Sequence, residues 1–182
     1  AKGKATKKAL LIGAHMDHLG QGEIGNSLAT STETSPIHFG ADDNASGVSS
    51  VMELAQYFSH NKGILKKNLI FAVWSGEEIG VIGSQNFIEQ WKNESRKDGL
   101  KISSSVNLDM VGRLRDQLLV QGVGSGNHWT SLVEEVSFRA QLPISVQNDP
   151  YQPTDSMAIY LGKIPSITLF TGSHNEYHTP RD

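Results

Sequence analysis

Across 182 residues the chain carries 16 Lys and Arg against 19 Asp and Glu, a net charge of −3, and it contains no cysteine. At about 150 residues per domain this is a single domain spanning 1–182, and 37% hydrophobic with 19% charged residues excludes disorder, collagen and coiled coil. The mild acidic excess argues against a nucleic-acid surface, and the absence of thiols means that any metal must be held by histidine and carboxylate.

In chain order, the basic residues Lys2, Lys4, Lys7 and Lys8 read as a solvated end, followed by an apolar run of strand length over 9–14. Residues 20–40, rich in Gly, Ser and Thr and without period, read as a long loop of the functional or mobile kind. A helix is expected over 44–60, because Val48, Val51, Met52, Ala55 and Phe58 recur at three- and four-residue steps and Asn61 and Gly63 stop it. Then come a strand over 69–74, a helix over 84–93, and strands over 106–110 and 118–121. A helix over 126–141 places Trp129, Leu132, Val133, Val136 and Ala140 on one face before Pro143 ends it, and a short helix over 155–161 leads into a last strand over 164–170. This alternation predicts an α/β fold, a three-layer sandwich with a mostly parallel central sheet and helices on both faces. No apolar run approaches the length of about 18 residues that spans a membrane, and residues 1–10 lack the apolar core of a signal peptide.

The chemistry-bearing residues gather at strand ends. His15 and Asp17 follow the first strand, Asp42 and Asp43 precede the first helix, Glu77 and Glu78 follow the second strand, Asp109 ends the third, and His178 lies beyond the last. Ligands of open α/β sheets bind outside the carboxyl ends of the strands, so separate segments deliver ligand-type side chains to one rim. Singly, most have an ordinary explanation: Asp42 and Asp43 could cap a helix, and Glu77 and Glu78 could open one. Asp109 is harder to place that way, because a carboxylate between Leu108 and Met110 in a buried strand needs a cation or an arginine, and Arg113 and Arg115 fall outside the strand end. Together the two histidines and the carboxylates make a nitrogen and oxygen cage suited to Zn, Co or Mn, with Zn favoured by the histidine pair. Two metals about 3.5 to 4 Å apart need one bridging carboxylate and about two further protein ligands each, which this inventory supplies.

Five segments also carry a family resemblance: His15-Met16-Asp17-His18-Leu19-Gly20, Gly40-Ala41-Asp42-Asp43-Asn44-Ala45-Ser46-Gly47, Trp74-Ser75-Gly76-Glu77-Glu78-Ile79-Gly80, Asn107-Leu108-Asp109-Met110-Val111-Gly112-Arg113 and Tyr177-His178-Thr179-Pro180. In order and spacing they resemble the co-catalytic di-zinc aminopeptidase family, a zinc exopeptidase catalytic domain of bacterial type. The resemblance implies that His15 and Asp109 bind one zinc ion, Glu78 and His178 the other, and that Asp42 bridges them. It further implies Glu77 as general base and Asp17 as the group that orients His15. It implies a peptide substrate cleaved at its N-terminal residue, two Zn2+ with Co2+ or Mn2+ as substitutes, and a secreted or periplasmic location. Relatives also have a strand and helix before the first motif and a helix after the last, so this chain is expected to be the core of a longer protein.

His18, His38, His60, His128 and His174 match no ligand position of that family and are assigned to loops or helix surfaces, with His174 and Tyr177 singled out as substrate or oxyanion contacts. The segment Pro153-Thr154-Asp155-Ser156 departs from the pattern, since related sequences often carry His at the position of Ser156. Asp149, Asp155 and Glu176 are candidates to recognise a free α-amine. Two other readings stand beside the peptidase: a glutaminyl cyclase with one zinc, and a non-enzymatic interaction domain, which would normally have lost ligands. Neither nucleic acid nor a membrane is an expected partner, and no segment speaks to oligomeric state.

Overall fold

The computed structural model describes residues 7–23, 25–30, 36–93 and 99–182, so Lys2 and Lys4 lie outside the described residues. Six strands, β1 (Lys8–His15), β2 (Asn68–Trp74), β3 (Lys101–Leu108), β4 (Leu118–Gln121), β5 (Ile144–Gln147) and β6 (Ser166–Phe170), form one sheet in the order β2-β1-β3-β6-β4-β5. Strands β2, β1, β3 and β6 run parallel, and β4 turns antiparallel to β6 with β5 parallel to it. Among the described residues four α-helices complete the fold: α1 (Gly47–His60), α2 (Ile82–Asn93), α3 (Trp129–Ala140) and α4 (Asp155–Leu161).

Strands covered on both faces read as near-continuous apolar runs, and β1 shows why. Leu11 packs with Trp74, Ile102, Ile88 of α2 and Ile159 of α4. Its neighbours Ile12 and Ala14 point to the other face, against Val51 of α1 and Leu108. A third cluster joins Trp129 and Val133 of α3 to Val120 and Ile167, and it shares Val106 and Leu169 with the α1 cluster. Helices α1 and α3 therefore cover one face and α2 and α4 the other, which is the expected three-layer sandwich. Among the described residues no helix is long and apolar enough to cross a membrane.

Three expectations change. The third strand starts at Lys101, not 106, because Ser104 and Ser105 pair with β1 and are buried despite their polarity, while Ser103, at a register shift, donates its Oγ to the Ala9 carbonyl at 3.0 Å. Strand β5 carries too short and too exposed a run to show period. On α1, Met52 faces solvent at 65% exposure, and Leu132 and Val136 on α3 are likewise exposed, so the inward stripes are narrower than their apolar spacing suggested.

Strand β1 has β2 on one side and β3 on the other, and the crossovers to them lie on opposite faces of the sheet. A crevice opens where such connections diverge, at the carboxyl ends of β1, β2, β3 and β6.

Candidate metal centre

The end of β1 delivers His15 into this crevice, 1% exposed. Its Nδ1 lies 3.0 Å from the backbone carbonyl of Asp17, an acceptor only, so Nδ1 carries the hydrogen. Nε2 then points at Asp43 Oδ1 (3.2 Å) and Asp109 Oδ1 (3.5 Å). His178 repeats the arrangement from the far end of the chain: Nδ1 lies 2.9 Å from the Asn26 carbonyl, and Nε2 lies 3.3 Å from both Asp43 Oδ2 and Glu78 Oε2. Asp43 thus stands between two halves, one oxygen turned to each.

The expected bridge, Asp42, does not occupy that place. Its Oδ1 accepts the Gly112 N–H at 2.8 Å and its Oδ2 faces His174 Nε2 at 3.2 Å, on the other side of the turn. The reason is local: within the turn over Ala41–Ser46, Asp43 and Asn44 leave helical φ and ψ, so adjacent carboxylates diverge. That turn is stitched to the end of β3. Asn44 Nδ2 donates to Leu108 O (2.9 Å), Asn44 Oδ1 accepts from Met110 N (3.3 Å), and Ser46 Oγ accepts from Val111 N (3.0 Å). Asn44 grips the backbone on both sides of Asp109 and so sets the spacing between Asp109 and Asp43.

Asp17 also differs from expectation. Its carboxylate lies 3.9 Å from His15 Nδ1, while its two oxygens accept the backbone N–H groups of Glu77 (3.1 Å) and Glu78 (3.3 Å). The carbonyl of Asp17 orients His15, and the carboxylate holds the turn that presents both glutamates. Glu77 brings an oxygen to within 4.8 Å of ligand atoms of His15 and Asp109.

Of the histidines assigned to loops or helix surfaces, three have buried side chains. His18 Nδ1 contacts Glu78 Oε1 at 2.9 Å, and His38 is held by Ser27 Oγ at 2.8 Å. His174 belongs to a second charged cluster with Asp42, Asp182 (3.6 Å), Glu176 and Arg113, and Arg113 donates to Glu176 at 2.9 Å. Asp182 accepts the backbone N–H groups of Asp42 (3.3 Å) and Asp43 (3.2 Å). The segment carrying His178 therefore grips the turn carrying Asp43. The 20–40 loop packs here as well, with Asn26 Nδ2 donating to Glu78 O (2.7 Å) and Leu28 N to His178 O (2.9 Å).

Burial alone would lower the pKa of His15, but Asp109 and Asp43 outweigh it and raise it to about 12. Burial likewise opposes charge on His178, and Asp43 and Glu78 push it up to about 10. Burial disfavours charge on Asp43 and Glu78, yet the histidines hold both below the ordinary carboxylate range. Burial raises Glu77 to about 8, relieved in part by His15 and reinforced by Asp109.

These atoms suit a tetrahedral cation. With bonds of about 2.0 to 2.1 Å, ligand atoms of tetrahedral zinc sit about 3.3 to 3.4 Å apart. The Nε2-to-oxygen separations, 3.2 and 3.5 Å in one half and 3.3 Å twice in the other, match that edge. Among the described residues His178 Nε2 has no hydrogen-bond partner, and both histidines are fixed through Nδ1 with Nε2 turned inward, the habit of a metal-ligating imidazole.

A cavity of about 690 Å³ opens over the cluster, with Val81, Met110, Met157, Phe170 and Tyr177 in its walls. Asp149, Asp155 and Glu176 are not among the residues that line it. Ser156 is buried behind it, bonded to Thr154 and Thr168.

The chain is similar to known proteins in sequence and in fold. A probable zinc metalloprotease of Pyrenophora tritici-repentis is 39% identical over 87 residues, 45% of this chain and 19% of that protein. The LapA aminopeptidase of Legionella pneumophila superimposes with a TM-score of 0.75 at 25% identity, over 96% of this chain and 44% of that one. A glutaminyl cyclase of Bacteroides thetaiotaomicron shares the fold at a TM-score of 0.71 and 20% identity, over 96% of this chain and 65% of that one. The chain spans less than a fifth of the metalloprotease and under half of LapA. The profile of Peptidase family M28 matches residues 1–182, and the chain belongs to that family.

Proposed function

We propose that this chain is the catalytic domain of a zinc-dependent aminopeptidase. It would hold one zinc ion between His15, Asp43 and Asp109, a second between His178, Asp43 and Glu78, and use Glu77 as general base. The observation that carries this reading is Asp43, whose two oxygens face two inward-turned imidazoles, each completed by a further carboxylate. Zinc supplies Lewis acidity toward the scissile carbonyl and makes water acidic enough to deprotonate near neutral pH.

The chain's own residues do the rest. Glu77, whose carboxylate reaches the His15 and Asp109 side of the centre, takes the proton of the attacking water and returns it to the leaving amine. The Asp17 carboxylate keeps Glu77 and Glu78 apart in role by fixing their backbone, so one faces His15 and Asp109 and the other His178. The apolar cavity wall receives the substrate side chain and excludes water.

Metal content after dialysis against zinc, read beside hydrolysis of aminoacyl anilides with free and acetylated amines, tests the proposal. Two zinc ions with cleavage of only the free-amine substrates are expected, and cobalt or manganese should substitute. One zinc with cyclisation of N-terminal glutamine would assign cyclase chemistry instead. Neither metal nor turnover would leave a binding domain.

A further inference from the structure

His18 matches no ligand position by spacing, yet its side chain is 7% exposed and its ring meets the His178 ring edge-on with centroids 5.7 Å apart. Its Nδ1 lies 2.9 Å from Glu78 Oε1 and 3.8 Å from Asp43 Oδ2. A carboxylate accepts and does not donate, so Nδ1 bears the hydrogen. His18 is thus turned the opposite way from His15 and His178: they give Nδ1–H to backbone carbonyls and offer Nε2 to the centre, whereas His18 gives Nδ1–H to a carboxylate of the centre.

We propose that His18 is a positioning residue for the second half of the centre, holding Glu78 Oε1 so that Glu78 presents Oε2 alone to the cation beside His178. This rests on the reading of the site as a zinc centre. Glu78 could otherwise swing to offer both oxygens, which would crowd His178 Nε2, already 3.3 Å from both Asp43 Oδ2 and Glu78 Oε2. The surroundings keep the ring in place. The His38 ring stands 6.4 Å away, and His38 is itself held by Ser27. On the remaining side the backbone passes so close that a Cβ on Gly40 would sit 2.6 Å from His18 Cγ, so a larger residue at 40 would displace the imidazole. No comparable donor is engaged with Asp109 in the first half, whose side-chain nitrogen contact is His15 alone among the described residues. The two halves therefore differ in how firmly their carboxylate is aimed.

The test compares His18→Leu and His18→Asn in the full chain, with zinc affinity of each ion measured by chelator competition and visible absorption of the cobalt-loaded protein. Asn places Nδ2–H where the imidazole has Nδ1–H but offers no ring nitrogen. His18→Leu is expected to weaken one ion by about 10- to 100-fold, leave the other unchanged and alter one of two cobalt signatures, with His18→Asn restoring both. Equal loss in both variants would overturn positioning and make the ring nitrogen itself the contact. An unchanged second ion in His18→Leu would overturn it outright. If Leu disrupts folding of the metal-free protein, His18→Ala serves in its place, with the same outcomes. A wild-type protein that binds no zinc refutes the reading of the site, whereas two tightly bound ions untouched by the His18 variants refute only the positioning role of His18.

Discussion

Exchanging Asp43 for Asn separates the shared carboxylate from its neighbour Asp42, and the structure gives the size of the effect. Asp43 Oδ1 is 3.2 Å from His15 Nε2 and Oδ2 is 3.3 Å from His178 Nε2, so an amide leaves an oxygen to one half and an NH2 to the other. An ion present at 100 times its dissociation constant stabilises the fold by about 2.7 kcal/mol, or about 5 to 11 °C in Tm for a domain of this size. Zinc should therefore raise the Tm of the wild-type chain by at least that much, and Asp43→Asn should lose most of the rise. Asp42→Asn keeps an oxygen for the Gly112 N–H and gives up only the charge facing His174 and Arg113. It should lower the metal-free Tm by the equivalent of about 1 kcal/mol and retain the zinc-dependent rise. The assay is thermal unfolding followed by circular dichroism with chelator and with excess zinc, beside bound zinc per chain. Two bound ions and a full rise in Asp43→Asn, with both lost in Asp42→Asn, would return the bridge to Asp42.

Glu77→Gln should keep both zinc ions and lose about two to four orders of magnitude in hydrolysis; near-normal turnover with zinc bound would remove Glu77 from the base role. In the metal-free protein His15 and His178 are raised from 6.5 to about 12 and about 10, so their stabilising contribution is full below pH 6.5 and fades as pH rises through those values. Glu77, raised from 4.5 to about 8, acts in the same direction, whereas the lowered Asp43 and Glu78 contribute above their ordinary range and lose it on acidification. Metal-free Tm should accordingly be highest near pH 4.5 to 5 and fall toward pH 9, and zinc binding at pH 7 should release protons, seen as a dependence of calorimetric heat on buffer. A Tm that climbs from pH 6.5 to 9 would contradict this. Gly47→Ala places a Cβ against Asn44 Oδ1 and the Leu108 carbonyl, groups that cannot yield, and should destabilise by about 1 to 3 kcal/mol; an unchanged Tm would show that the turn relaxes freely.

Much of the architecture was legible because period and burial are linked. Leu10 to Ala14 had to be a two-faced strand, since alternate residues serve different helices, and the same logic located β2, β4, β6 and all four helices. It failed where polarity and register disagree. Ser103 to Ser105 look like loop but lie in β3: Ser104 and Ser105 pair with β1 and are buried, and Ser103 Oγ finds the Ala9 carbonyl at the register shift. Strand β5 is held by β4 more than by its own composition.

The centre shows the same division at atomic scale. Local pattern brings His15, Glu77, Glu78, Asp109 and His178 to strand ends, and the topology of a doubly wound sheet carries those ends to one crevice, so the inventory of donors follows from the order of residues. Which of two adjacent carboxylates faces inward does not, because Asp42 and Asp43 are chemically identical and differ only in the φ and ψ imposed by contacts of their turn with two distant segments, Leu108 to Gly112 at the end of β3 and Asp182. His18 is a like case: its spacing marks it as a loop histidine, and its place against Glu78 arises from the approach of Gly40 and His38 across the crevice. Covalent order decides which groups reach the rim, and non-local hydrogen bonds decide the direction in which each one points.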